Sequence, residues 1–174
     1  QKGRKLTKLP KTQYHGGYAT AETGIANTRG LYITPDIRYA QAFANPKLRT
    51  YKGRGDVGVY KLDLTKAKNV TLTNRPPKEL KKSIDNILKN KPLSQKDKDF
   101  HRELRTLFNQ KSKKGVKGGR AGDLSKETLD FLRKNGVEVL TDSKTLSGRG
   151  PNLEYYILKD FPKTKLTAEE VAKL

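Results

Sequence analysis

The chain contains no cysteine. That excludes disulfides, a thiol nucleophile and thiolate metal sites. Its two histidines are His15 and His101. A zinc site would need carboxylates beside them, and no His-Glu-x-x-His spacing is present, so no metal is expected. No apolar run is long enough to cross a bilayer, and no apolar core follows the basic first residues. Neither a transmembrane segment nor a signal peptide is therefore expected. The sequence starts at Gln1 rather than methionine, which reads as a processed product or an excised domain. Acidic residues are few: 18 Asp or Glu against 38 Lys or Arg leave a net charge of +20. A field of that size attracts polyanions, whether nucleic acid, an acidic protein or anionic lipid. Its plainer uses are solubility and delivery.

What is present suffices for one domain. A chain of 174 residues can bury a real core, and its 33% hydrophobic content falls in clear clusters of Tyr, Phe, Ile, Leu and Val. Freedom from cysteine also suits a chain that must unfold, pass through a channel and refold in either redox environment.

One stretch organises the rest. Gly30 to Ala44 begins with a β-like run, Leu31 to Thr34. Pro35 stops it, because proline cannot donate to a ladder. Asp36 is placed to cap a short helix over Ile37 to Ala44, with Ala40, Phe43 and Ala44 towards one face. Three rings, Tyr32, Tyr39 and Phe43, fall within this corner. Alone, they read as core packing.

Residues 1–12 read as a basic arm, flexible or loosely docked, and 13–174 as a single domain. Tyr14 and His15 suit a strand end, with Gly16-Gly17 as a turn that lets backbone approach a ligand. Residues 19–29 and 45–56 read as loops, and Val57 to Leu64 and Val70 to Leu72 as strands. Two helices are expected over 78–109, broken at Pro92 and restarted by Ser94, with His101 on the surface of the second. Residues 111–122 form a Gly- and Lys-rich loop. Lys78 to Arg120 holds 14 Lys or Arg against 5 Asp or Glu, a net of +9, so 78–122 reads as a basic helical insert. A helix capped by Ser125 and ended by Gly136, a strand at 137–140, a polar loop at 142–151, a strand at 153–158 and a short helix from Thr167 complete the chain. Short strands interspersed with helices, without regular alternation, predict an α+β fold.

Three separate places carry chemistry: Tyr14-His15-Gly16, Gly30-Leu31-Tyr32-Ile33-Thr34 and Asn152-Leu153-Glu154-Tyr155-Tyr156-Ile157. In that order the chain resembles the His–Tyr–Glu class of ADP-ribosyltransferases, the class of diphtheria toxin and the poly(ADP-ribose) polymerases. The resemblance implies a split β-sandwich, NAD as co-substrate without metal, and catalytic His15, Tyr32 and Glu154. His15 would hydrogen-bond the adenine-side ribose, the Gly16 backbone would hold the nicotinamide amide, and Glu154 would bind a hydroxyl of the nicotinamide ribose. Tyr32 would be one wall of the nicotinamide slot. The opposite ring is expected about eleven residues on, where Phe43 stands, with Tyr39 as the nearer alternative. Gly17 departs from the Ser or Thr common after His-Gly, and Phe43 from the usual Tyr.

The function so implied is a mono-ADP-ribosyltransferase toxin or effector, secreted or translocated and acting in the cytoplasm of a target cell. The acceptor is RNA or protein. The charge favours structured RNA bound through phosphates, by 78–120, the 47–54 loop and the N-terminal arm. An acidic immunity or inhibitor protein is the other partner the charge suits, and a monomer is expected. An RNA 2′-phosphotransferase-like enzyme fits less well, because that family relies on arginines in its core motifs. A non-catalytic nucleic-acid-binding domain is the third reading.

Overall fold

Alternation in the short apolar runs sends neighbouring side chains to opposite faces of a strand, so one sheet can serve two cores. That is how this chain uses its limited hydrophobic content. The computed structural model describes residues 9–18, 30–45, 47, 57–68, 70–72, 76–108, 124–141 and 154–174. The loops expected at 19–29, 111–122 and 142–151, that at 45–56 apart from 45 and 47, and the arm residues 1–8 lie outside the described residues. In chain order the elements are β1 (Thr12–Tyr18), β2 (Leu31–Ile33), α1 (Ile37–Phe43), β3 (Val57–Asp63), β4 (Val70–Leu72) and α2 (Lys78–Lys89). There follow α3 (Gln95–Leu107), α4 (Lys126–Lys134), β5 (Val139–Thr141), β6 (Tyr155–Ile157), β7 (Lys163–Lys165) and α5 (Ala168–Ala172).

The fold is α+β. Three strands in the order β1-β3-β7 form one sheet, and four in the order β2-β6-β5-β4 form the other. All pairings are antiparallel except β4 with β5. The second sheet is the middle layer. Ile33, Val139, Tyr155 and Ile157 point from it into a core shared with Tyr60 and Leu62 of β3 and with Leu64 and Phe161. Leu140 and Tyr156, their neighbours in sequence, point into a second core with Leu80, Ile84, Leu104, Leu129 and Leu132 of the helices.

Helix boundaries follow from caps. The Ser94 hydroxyl accepts from the Asp97 amide at the start of α3, and Ser125 does the same for Thr128 in α4. Glu103 ties the two helices together. Its carboxylate accepts from the Ser125 amide at 3.0 Å, the Ser125 hydroxyl at 2.8 Å and the Thr128 hydroxyl. A negative charge there also complements the N-terminal end of α4. α5 opens with a reciprocal capping box between Thr167 and Glu170.

The structure corrects several sequence readings. His101 is buried, 5% exposed, because positions 101, 104 and 108 share the inward stripe of α3. The described helices of the segment expected as a basic insert also supply much of the second core, through Leu80, Ile84, Leu104, Leu107 and Phe108. The strand expected at 137–140 begins at Val139, since Gly136 and Val137 close α4 by bonding back to Arg133 and Leu132. β7 went unforeseen. Lys-Thr-Lys has no apolar alternation, but it sits at a sheet edge, where lysines are common. Leu9 packs on the first core and the Lys11 carbonyl accepts from the Leu64 amide, so these last arm residues are docked.

Candidate functional site

The two sheets meet at one residue pair. The Tyr14 amide donates to the Thr34 carbonyl at 2.7 Å, and the Thr34 amide to the Tyr14 carbonyl at 2.9 Å. Two residues on, the same alternation would pair Gly16 with Tyr32 and continue the ladder. Instead the His15 side chain takes the strand's place. Its Nδ1 lies 2.8 Å from the Tyr32 carbonyl oxygen. A carbonyl only accepts, so Nδ1 carries the proton and donates; in the neutral ring Nε2 would then be the nitrogen able to accept. Beyond this bridge no backbone bond joins β1 to β2 among the described residues. By alternation the Gly16 amide and carbonyl, in step with those of Tyr14, point to the β2 side of the strand.

β1 runs on through Gly16 and Gly17 to Tyr18, so the glycine pair is strand, not the turn expected from sequence. Each glycine has a different physical reason. The Ala40 backbone of α1 occupies the space where a Gly16 side chain would be, which seats the helix directly on the strand. Gly17 has φ 137°, a backbone setting that Ser or Thr rarely adopts. The departure at position 17 thus follows from local geometry.

α1 is held over β1 by the corner the sequence suggested. The Thr34 hydroxyl accepts from the Asp36 amide at 3.1 Å, and Asp36 Oδ1 accepts from the Arg38 amide at 3.0 Å. Ala40 faces inwards and is buried. Phe43 does not join it: it is 41% exposed and meets Tyr39 edge-on, with centroids 5.0 Å apart. Tyr32 makes a different pair. It stands opposite Tyr156 across the β2–β6 ladder, centroids 4.7 Å apart, and packs on the helical core. The Tyr156 ring in turn fills the space beside Gly30, where a Cβ would lie 2.5 Å from it. These rings thus form two separate pairs, Tyr39–Phe43 on α1, the helix seated on Gly16, and Tyr32–Tyr156 across the β2–β6 ladder.

Glu154 directly precedes β6 and is half-buried. Extending the β2–β6 register by one residue sets it opposite Thr34, the residue bonded to Tyr14. Strand alternation gives it the face of Tyr156 and Tyr32. The three sequence motifs, separated by up to 140 positions, thus fall on β1, on β2, which one bridge joins to it, and at the head of β6, which pairs with β2. Sequence reasoning did not single out Thr34 or Tyr156 as separate contributors. A hydroxyl after a strand and the second of two tyrosines were the available signals.

The arrangement offers an accepting imidazole nitrogen, a backbone amide and carbonyl on one glycine, a carboxylate, and aromatic faces. Among the described residues no three His, Asp or Glu side chains cluster as metal ligands would. No helix among them is long and apolar enough to cross a membrane. Compared with family models, curated proteins and solved structures, the chain matches none.

Proposed function

We propose that this chain is an NAD-dependent mono-ADP-ribosyltransferase of the His–Tyr–Glu type, with the split β-sandwich that class implies. It acts as a toxin or effector in the cytoplasm of a target cell. The observation that supports this reading is the bond of His15 Nδ1 to the Tyr32 carbonyl, beside the bridge that joins β1 to β2, with Glu154 directly before the strand paired with β2.

The residues suit NAD. One glycine backbone presents a donor and an acceptor, which complement the carbonyl and NH2 of a carboxamide. Aromatic faces hold a flat ring and exclude water. The nicotinamide glycosidic bond breaks with its electron pair leaving on nicotinamide, and the ribose becomes oxocarbenium-like, as in glycoside cleavage. Glu154 binds a hydroxyl of that ribose and stabilises the developing positive charge, a contribution of about 3–4 kcal/mol for groups of this kind. His15 Nε2 accepts from a hydroxyl of the adenine-side ribose. The acceptor's nucleophile then bonds to the anomeric carbon and gives up its proton, to Glu154 or to solvent. The net charge of +20 favours structured RNA as acceptor.

The test is incubation with labelled NAD and separate RNA and protein fractions, using the chain and Glu154→Gln. Label on RNA is the expected result, and label on protein would reassign the acceptor. The substitution should cut transfer by about 100-fold or more while leaving the circular dichroism spectrum unchanged. Near-normal transfer by the folded variant would overturn the assignment of Glu154, and absence of label from both fractions the enzymatic reading.

A further inference from the structure

We propose that the outward face of α2 is a docking surface for the phosphate backbone of duplex nucleic acid. The inference deepens the acceptor class proposed above, but the binding it describes does not depend on catalysis.

At 100° per residue, Lys78, Lys81, Lys82, Asp85 and Lys89 fall within an arc of about 100° on one side of α2. Leu80 and Ile84 lie on the other side and are buried in the helical core. All four lysines are exposed. None of them forms an ion pair with a described carboxylate, whereas Lys96 pairs with Glu127, Arg102 with Asp99 and Arg133 with Asp130 on the neighbouring helices. Asp85 is the single acid on the face. Four lysines against one acid thus leave this face net positive, with no ion pair to the lysines among the described residues.

The spacing suits phosphates. Lys78 and Lys82 are about 6 Å apart along the helix, and Lys78 and Lys89 about 16 Å. That distance covers about five phosphates of one strand at ~3.4 Å each. The other polyanions fit less well. A protein interface needs apolar or aromatic anchors in pockets, and this arc offers only the four lysines and Asp85. A membrane-bound helix needs its apolar side turned to lipid, and here that side is the core. Leu93, 91% exposed in the turn after α2, is a lone apolar side chain. Lysines are point charges, so the surface would read phosphate position and not base sequence.

The test uses fluorescence anisotropy with an RNA duplex of about 20 base pairs and a DNA duplex of the same sequence, in about 50–200 mM salt. One variant carries Lys78→Gln, Lys81→Gln, Lys82→Gln and Lys89→Gln. A control removes the same charge from exposed lysines elsewhere, as Lys61→Gln, Lys126→Gln, Lys134→Gln and Lys173→Gln. The α2 variant should bind both duplexes roughly 100-fold more weakly at ~100 mM salt, with a log–log salt slope shallower by about 3 to 4. The control should lose less than about fivefold. Equal loss in both variants would overturn the proposal, as would retention of full affinity by the α2 variant. So would wild-type preference for poly-glutamate or anionic vesicles over duplex at equal charge. No NAD enters the experiment, so its failure is distinguishable from failure of the transferase reading: an inactive enzyme can still lose duplex binding with α2, and an active one can keep it.

Discussion

The two cores on either side of the middle sheet are built by different means. The helical core is internally satisfied. α3 and α4 start at side-chain caps, Glu103 bonds three donors at the head of α4, and the one buried polar atom of this core without a partner among the described residues is His101 Nδ1. The core between the sheets holds polar atoms less comfortably. Tyr155 Oη is buried there without a partner, and Gln13 Oε1 and Thr141 Oγ1 are likewise unpartnered on strands that line it. The strand at its rim depends on bare backbone beneath α1. Unsatisfied polar atoms and backbone-on-backbone contacts are costly, and proteins concentrate such departures where they use them. His15 lies at that less satisfied side, beside Tyr60, whereas Tyr32 and Tyr156 pack on the helical core. The comparison therefore separates the anchoring of the helices around Glu103 from the rim where β1 meets β2.

The largest expected effect is at the seat of α1. Gly16→Ala puts a methyl group into the Ala40 backbone, which cannot swing aside as a side-chain tip could. A loss of about 3 kcal/mol in urea denaturation is expected, with α1 displaced. A loss below about 1 kcal/mol would mean that α1 does not rest on the strand. The helical counterpart is Glu103→Ala, which removes the acceptor of the Ser125 amide, the Ser125 hydroxyl and the Thr128 hydroxyl. It should cost about 2 kcal/mol and leave duplex binding and transfer intact once the protein is folded. Loss of activity in a fully folded Glu103→Ala protein would break the division between the anchoring of the helices and the rim.

The same division decided what could be read from sequence. On the helical side, spacing and caps suffice: Leu80 and Ile84, the break at Pro92 and the caps Ser94 and Ser125 all fall where expected. His101 was misread because a polar residue within an apolar stripe looks like surface until the partner helices are known. On the sheet side, β2, β3 and the Asp36 cap were legible from local chemistry. The pairing of Tyr14 with Thr34 was not, since register between distant strands leaves no local mark. Nor was the role of Gly16, because a glycine in a strand is equally consistent with a turn, a ligand or a helix pressed against it. The fate of Phe43 shows the same limit: its spacing suited the core, yet the buried position on α1 went to Ala40.

The two histidines give a smaller and sharper contrast. His15→Ala removes one hydrogen bond to the Tyr32 carbonyl and should cost about 1 kcal/mol. If the transferase reading holds, the variant also raises the KM for NAD by about tenfold or more, well beyond what lost stability explains. His101→Leu should be neutral or stabilising, because it replaces a buried ring with an unpartnered nitrogen by an apolar side chain of similar size. An unchanged KM in His15→Ala would remove His15 from the site. Strong destabilisation by His101→Leu would show that the helical core is not self-sufficient in apolar contacts.

At neutral pH the smallest effect belongs to Tyr155, whose contribution changes only in alkali. Burial pushes the Tyr155 phenol up to about 12, against an ordinary value of 10.0, and its hydroxyl has no partner. Above the ordinary value the unfolded chain releases this proton while the folded chain keeps it. The unfolded state then binds fewer protons, so stability falls as pH rises, by at most about 1.4 kcal/mol per pH unit. The contribution is whole below pH 10.0 and is lost through about 12. Tyr155→Phe should be nearly neutral at pH 7, since it deletes a hydroxyl that bonds nothing and keeps the ring against Ile33, to which Tyr155 is paired across the β2–β6 ladder. In urea titrations at successive pH values, the wild type should weaken relative to Tyr155→Phe only in the alkaline window. Parallel pH profiles for the two proteins would show that the core between the sheets admits water to the phenol, and the contrast with the dry helical core would then fail at that position.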